Sequence, residues 1–296
     1  SVVSKAKQVG YTPTSSTAAT ATIDVVVNNA SGSSITMSRG TKFATSVNGQ
    51  SYNFLNNADV TITPDNGVYK FSNLKIFEGT YLNFKYTVST SDIDQRFIIP
   101  NDNVDTTTLT VKVQNSSSDS TTNTYTLADG LTGLTPTSQV YFLQEVENGR
   151  YEVYFGDGVL GKAIADGNIV IFDYINCNQD APNNATTFTL SGTIGGFSDA
   201  TITTVSNSTG GSVPESISSI KYNAPRDYAS QDRAVTAEDY KVLVKSLYAN
   251  AQAVQVFGGE DAATPAYGKV FISIKAKSGT NLTTATKDSI VQSLKQ

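Results

Sequence analysis

The residues best placed to do chemistry are Gly156-Asp157-Gly158-Val159-Leu160-Gly161-Lys162-Ala163, which have the GxxxxGK spacing of a phosphate-binding loop and follow the strand-like run 151–155. Three features oppose nucleotide binding. Ala163 stands where a magnesium-holding hydroxyl belongs, and Asp157 puts negative charge where phosphates would sit. Ala165-Asp166-Gly167-Asn168 then breaks the chain, so no helix N-terminus is available to receive an anion. The expected structure is a pair of glycine turns joining strands.

Other chemistry is limited by what is missing. With no His, imidazole bases, His-based triads and His metal ligands are excluded. Cys177 is the only cysteine, so neither an intrachain disulfide nor a multi-thiolate metal site can form. Asn101-Asp102-Asn103-Val104-Asp105 is oxygen-rich but lacks the Gly and the later bidentate Glu of a calcium loop, and reads as a solvated turn. Glycosylation sequons at Asn29, Asn115, Asn184, Asn207 and Asn281 are what chance supplies in a chain this rich in Asn, Ser and Thr. Two carboxylates could act as acid and base, but no spacing singles out a pair. No cofactor is expected.

Composition sets the frame that must position these residues. The 296 residues carry a net charge of −5 and only 16% charged side chains, which argues against a nucleic-acid partner. Fifteen Tyr and thirteen Phe supply the apolar bulk, and Trp is absent. No apolar run approaches the ~20 residues of a membrane span, so no membrane partner is expected. The sequence opens at Ser1 and closes at Gln296 inside an amphipathic pattern, as a piece of a longer protein would.

The pattern predicts an α+β protein, predominantly antiparallel β. Sandwich- or barrel-like parts at residues 1–104 and 105–215 precede a small α+β module at 216–296. The first hundred residues are short β-branched and aromatic runs between turn formers, with Val47-Asn48-Gly49 a hairpin signal and no helical period. In the second block, 139–145 and 151–155 face each other across Glu147-Asn148-Gly149-Arg150, and 169–175 is the most apolar strand. In the last, Thr236 is placed as N-cap of a helix with Asp239 at N3 and an apolar face of Tyr240, Leu243, Val244 and Leu247. Strands at 253–257 and 269–274 follow, then a helix from Thr283 or Thr284.

Two segments together resemble the J-like baseplate proteins of contractile-tailed phages. One is Tyr151-Glu152-Val153-Tyr154-Phe155-Gly156-Asp157-Gly158-Val159-Leu160-Gly161-Lys162, continuing through Asp166-Gly167-Asn168 to Tyr174. The other is Ala224-Pro225-Arg226-Asp227-Tyr228, Arg233-Ala234-Val235-Thr236-Ala237-Glu238-Asp239-Tyr240, Gly258-Gly259-Glu260-Asp261 and Tyr267-Gly268-Lys269-Val270. The resemblance is specific from about residue 150. It departs at 178–184, where relatives often carry a glycine before an Ala-Asn pair.

The resemblance implies a non-enzymatic subunit of the virion tail baseplate, assembled in the host cytoplasm. Its implied partners are itself, as a homodimer within a ring of wedges, and other wedge subunits. The structural motif and candidate interface then comprise Gly156, Asp157, Gly158, Gly161, Pro225, Arg233, Thr236, Asp239, Tyr240, Gly258 and Gly259, with self-contact expected around Pro225–Ile274. The alternatives are a carbohydrate-binding or adhesin-like module, suggested by the Tyr- and Asn-rich first hundred residues, and a glycosidase working through two carboxylates.

Overall fold

A pleated strand sends alternate side chains to opposite faces, and the β-branched runs use that geometry directly. In β1 (Thr20–Val27) the residues Ala21, Ile23, Val25 and Val27 are buried and their neighbours are half-exposed. This strand lies between β6 (Tyr69–Glu78) and β15 (Ala200–Thr209), antiparallel to both. With β3 (Lys42–Val47), β4 (Gln50–Leu55) and β14 (Thr189–Ser191) they form a six-stranded sheet in the order β14-β3-β4-β6-β1-β15. Asn48 and Gly49 join β3 to β4 with φ of 51° and 79°, the left-handed pair whose twist matches that of a hairpin. A two-stranded flap, β2 (Ile35–Met37) with β5 (Val60–Ile62), adds Ile35 and Met37 to the same core as Ile23, Phe43, Phe54 and Phe71. The computed structural model describes residues 2–8, 10–128, 133–146, 149–230, 237–248, 250–259, 269–277, 282 and 284–294.

The second sheet has seven strands. They are β7 (Thr80–Thr87), β8 (Phe97–Ile98), β9 (Val104–Gln114), β10 (Thr122–Leu127), β11 (Val140–Glu145), β12 (Tyr151–Phe155) and β13 (Ile169–Asn176), in the spatial order β7-β13-β9-β10-β11-β12-β8. Every pairing is antiparallel except β10 with β11. Strand β13 is buried at six of its eight positions, as its apolar run, interrupted only by Asp173, requires. Aromatic rings do the work that branched aliphatics do elsewhere. Tyr86, Phe97, Phe155 and Tyr125 meet edge to face in a chain, with centroids 5.6, 5.7 and 5.4 Å apart, each contact adding about 1 kcal/mol to plain burial.

The fold is α+β and mainly antiparallel, as the pattern predicts. The strands do not divide in linear order, however. β7 and β8 precede residue 104 yet bond to β13 and β12, which follow it. The chain leaves the first sheet at Glu78, builds the whole second sheet, and returns after Asn176 to supply β14 and β15. Both sheets belong to one compact unit, Thr14–Pro214.

The described parts of residues 1–13 and 215–296 form the other unit. Two of its helices run against the sequence pattern. Helix α1 (Val2–Gln8) lies where no helical period is visible, and α2 (Ile217–Ser230) holds Pro225 in its interior. They are helical because they bury Ala6, Ile220 and Ala224 against each other, a tertiary gain that outweighs weak local propensity. Ser216 caps α2 by accepting from the Ser219 amide at 3.2 Å. The expected order helix, strand, strand, helix follows in α3 (Ala237–Leu247), β16 (Ala251–Gly258), β17 (Val270–Ala276) and α4 (Thr284–Ser293).

Gly79 marks the departure from the first sheet. Its φ is +129°, and a Cβ there would lie 2.4 Å from the Asn176 carbonyl oxygen and 2.8 Å from Ile175 Cγ2. Gly49 has a positive φ as well, but open space around it. Gly79→Ala should therefore cost about 3 kcal/mol or more, combining backbone strain with a backbone clash, and Gly49→Ala only about 1. Urea unfolding of the two variants checks the difference.

Candidate functional site

The glycine loop is built around its own carboxylate. Asp157 Oδ1 accepts the backbone amides of Val159 and Leu160, both at 2.9 Å, and Gly158 N donates to Gly161 O at 3.0 Å. In a phosphate loop such amides point at the ligand; here Asp157 takes two of them. The Leu160 and Val159 amides hold its carboxyl below the usual carboxylate range. Gly156 packs so closely on Gly161 that a Cβ would lie 2.3 Å from the Gly161 carbonyl carbon. Lys162 N is bound to Ser138 O at 2.8 Å, and no helix follows. The segment is a close-packed turn between β12 and β13.

The remaining candidate residues fall in the other compact unit. Pro225 is exposed in α2, where it cannot donate to the carbonyl one turn back. Beside it, Arg226 donates to Tyr222 O at 2.7 Å and lays its guanidinium 3.5 Å from the Tyr222 ring centroid. Asp239 stands in the first turn of α3, followed by half-buried Tyr240. Gly258 ends β16, and Gly259 N donates to Lys269 O at 2.7 Å, closing the pair with β17. Arg233, Thr236, Glu260 and Asp261 lie outside the described residues, and so does the proposed N-cap.

Sequence reasoning missed the molecule's most unusual polar region, the buried junction of the two sheets. Glu78 accepts both the backbone amide of Asn178, at 2.8 Å, and its side-chain amide, at 2.6 Å. Asp105 accepts Ala18 N at 2.9 Å, Thr107 N at 2.9 Å and the Thr107 hydroxyl at 2.6 Å. Burial raises the pKa of both, outweighing these hydrogen bonds. Asp173, on the interior strand β13, takes Asn83 Nδ2 at 2.6 Å and Lys112 Nζ at 3.3 Å, with Arg39 at 3.7 Å. Burial also acts to raise its pKa, but Asn83, Tyr81, Lys112 and the Arg39 charge together bring it below the usual value. Cys177 is buried beside them, and that burial pushes its thiol up to about 11, an unreactive state.

Raised carboxylate pKa values in an open cleft would suggest acid–base chemistry. Here both oxygens of Glu78 and of Asp105 are spent on neighbouring amides and hydroxyls under the sheet junction. Among the described residues, no three Asp, Glu or Cys side chains gather as metal ligands would. No spacing signal marks this junction, because its members come from residues 15–18, 39, 78–83, 103–112 and 173–179.

Fold and site together define a β scaffold whose buried carboxylates Glu78, Asp105 and Asp173 hold its own parts. The comparisons agree with that class. The family described as "Bacteriophage baseplate wedge protein gp6, third domain" matches residues 84–186, and "Baseplate structural protein gp6, C-terminal domain I" matches residues 236–296, together more than half of the chain. The chain belongs to the gp6 family of phage baseplate wedge proteins. It is 30% identical to the baseplate wedge protein gp6 of Enterobacteria phage T4 over all of this chain and 47% of the relative, and so spans about half of that protein's length. A solved chain from the anti-feeding prophage baseplate matches 98% of this chain and 56% of its own, at 12% identity and a TM-score of 0.37, a likeness too distant to bear on function.

The buried carboxylates give opposite pH signatures. Glu78 binds its proton more tightly folded than unfolded, so its contribution is complete below about pH 4 and is lost as pH rises through its folded pKa. Asp173 contributes fully above about pH 4 and loses that contribution as pH falls through its depressed folded pKa. Asp173→Asn should cost about 2 kcal/mol at pH 7, a deficit that closes on acidification. The deficit of Glu78→Gln should instead be largest in acid and shrink towards pH 7. Urea titrations between pH 3 and 8 separate the two.

Proposed function

We propose that this chain is a structural segment of a tail baseplate wedge in a contractile phage virion, without catalytic activity. It links wedges into the baseplate ring by pairing with a second copy and by contacting other wedge proteins, and assembles in the host cytoplasm. The observation that carries this reading is the family match across both compact units, with identity to a wedge protein along the whole chain. The side chains are consistent with such a role. The buried carboxylates Glu78 and Asp105 are bound to neighbouring groups under the sheet junction, and Asp157 takes two of the glycine-loop amides.

For self-pairing, the module around Pro225–Ile274 offers a suitable surface. Phe257 on β16 and Phe271 on β17 stack with centroids 5.4 Å apart, and both remain more than a third exposed. Val270 beside them is exposed as well. An aromatic pair left in water near the Gly258–Val270 end of a two-stranded sheet is the kind of anchor that protein interfaces bury.

The experiment is co-expression of the full-length protein with the other wedge proteins of its own phage. One complex should co-purify, and size-exclusion chromatography with light scattering should show at least two copies of this chain in it. Phe257→Ser with Phe271→Ser should lower the copy number while leaving the circular dichroism spectrum unchanged. A full-length protein that stays monomeric and captures no wedge protein would overturn the proposal.

A further inference from the structure

The route of the chain through the unit 14–214 places both of its passages between the sheets at one point. The second sheet is joined to the first by two crossings only, at Glu78–Thr80 and at Asn176–Asn178. These lie side by side, because Thr80 and Asn176 are register partners in the β7–β13 pair. Two adjacent strands act as an axis, and a body hung on them can rotate unless contacts away from the axis fix its angle.

Most of the ties between the sheets sit close to that axis. Ala18 reaches Asp105, and Gln179 Nε2 reaches Asn103 Oδ1 at 3.0 Å. Asp105 is the register partner of Ile175, next to the crossing. Ser15 Oγ accepts Thr106 N at 3.0 Å, one residue further on. Such contacts hold the axis together but exert little leverage against rotation about it.

Arg39 is different. It belongs to the loop between β2 and β3, and its guanidinium crosses to the second sheet. There it lies 4.5 Å from the Tyr81 ring centroid and 3.7 Å from Asp173 Oδ2. Asp173 is three residues along β13 from the crossing at Asn176, roughly 10 Å up the strand. Among the described residues, this is the one ion pair within 4 Å that joins the two sheets. The Arg39 side chain is 37% exposed and belongs to none of the apolar clusters, so both sheets can persist without it; the small cluster of Ala18, Leu55, Ile175 and Cys177, with Phe77 and Tyr81, packs between the sheets beside the crossings.

We propose that Arg39 is a latch that sets the angle between the two sheets, and that its release lets the second sheet swing about the Gly79 and Cys177 crossings. The planar cation suits this role. It stacks on one partner and pairs with another, both on the moving body, and leaves them without creating a buried hole.

Spin labels on Ser46→Cys in β3 and Thr124→Cys in β10 report the angle. Both sites are exposed on strands, one in each sheet. Cys177 is 2% exposed, and protein without the added cysteines should take up no label. Pulsed electron resonance should give one narrow distance for the doubly labelled protein. Arg39→Ala and Arg39→Gln should each broaden it and add a second distance, with the near-ultraviolet circular dichroism of the Tyr-rich core unchanged. Lys112→Ala removes a cation from the same Asp173 but within one sheet, and should leave the distance narrow. An unchanged distribution in both Arg39 variants would overturn the latch, and so would equal broadening in Lys112→Ala.

Discussion

The dipeptide Glu78-Gly79 is the point on which the larger unit depends. Here the chain passes from one sheet to the other, and four demands meet within two residues. The backbone must turn through a conformation that side chains avoid, at φ +129°. It must pass within contact distance of the returning strand at Asn176. Its amides must still be satisfied, which Ala19 O and Asn53 O do at 2.8 and 3.0 Å. Only glycine meets the first two demands. The buried Glu78 carboxylate answers a fourth, because it binds the amides of Asn178 where the chain comes back. Exit and return are thereby fastened to each other.

The same arrangement engages the buried carboxylates in holding the chain together. A buried carboxylate is costly unless its oxygens are hydrogen-bonded. Glu78, Asp105 and Asp173 are bonded on both oxygens, each with at least one partner from a distant part of the chain. Asp157 repeats the pattern at the surface, using two backbone amides that a phosphate loop would keep for its ligand. A group satisfied in this way positions backbone and has little capacity left for substrate. The scaffold role argued for a baseplate wedge protein is consistent with carboxylates used as internal fasteners.

The smaller unit shows the same preference for fastening. Glu215 accepts the Tyr11 hydroxyl at 2.8 and 3.0 Å, the Ser219 hydroxyl at 2.6 Å and Asn223 Nδ2 at 2.9 Å. One carboxylate so joins the segment after α1 to two turns of α2. The apolar contact of Ala6 with Ile220 and Ala224 is small, and this polar cluster supplements it.

Much of this protein was legible as a string. Alternation in 20–27, the Asn48-Gly49 hairpin, the pairing of 140–145 with 151–155 and the helix at 237–247 are set by neighbours within a few residues, and there the sequence reading and the structure coincide. The glycine loop was legible too, since Ala163 and Asp157 spoil a phosphate site by their chemistry alone. Family membership could be read from local motifs for the same reason. Tertiary structure decided what depends on distant partners. The helices at 2–8 and 217–230 form because they cover each other, across more than two hundred residues of chain. Which strands share a sheet was settled by pairings such as β1 with β15, whose partners are some 180 residues apart. The carboxylate junction was invisible for the same physical reason: burial, and the choice of amides that answer a buried charge, are properties of packing and have no period in the sequence.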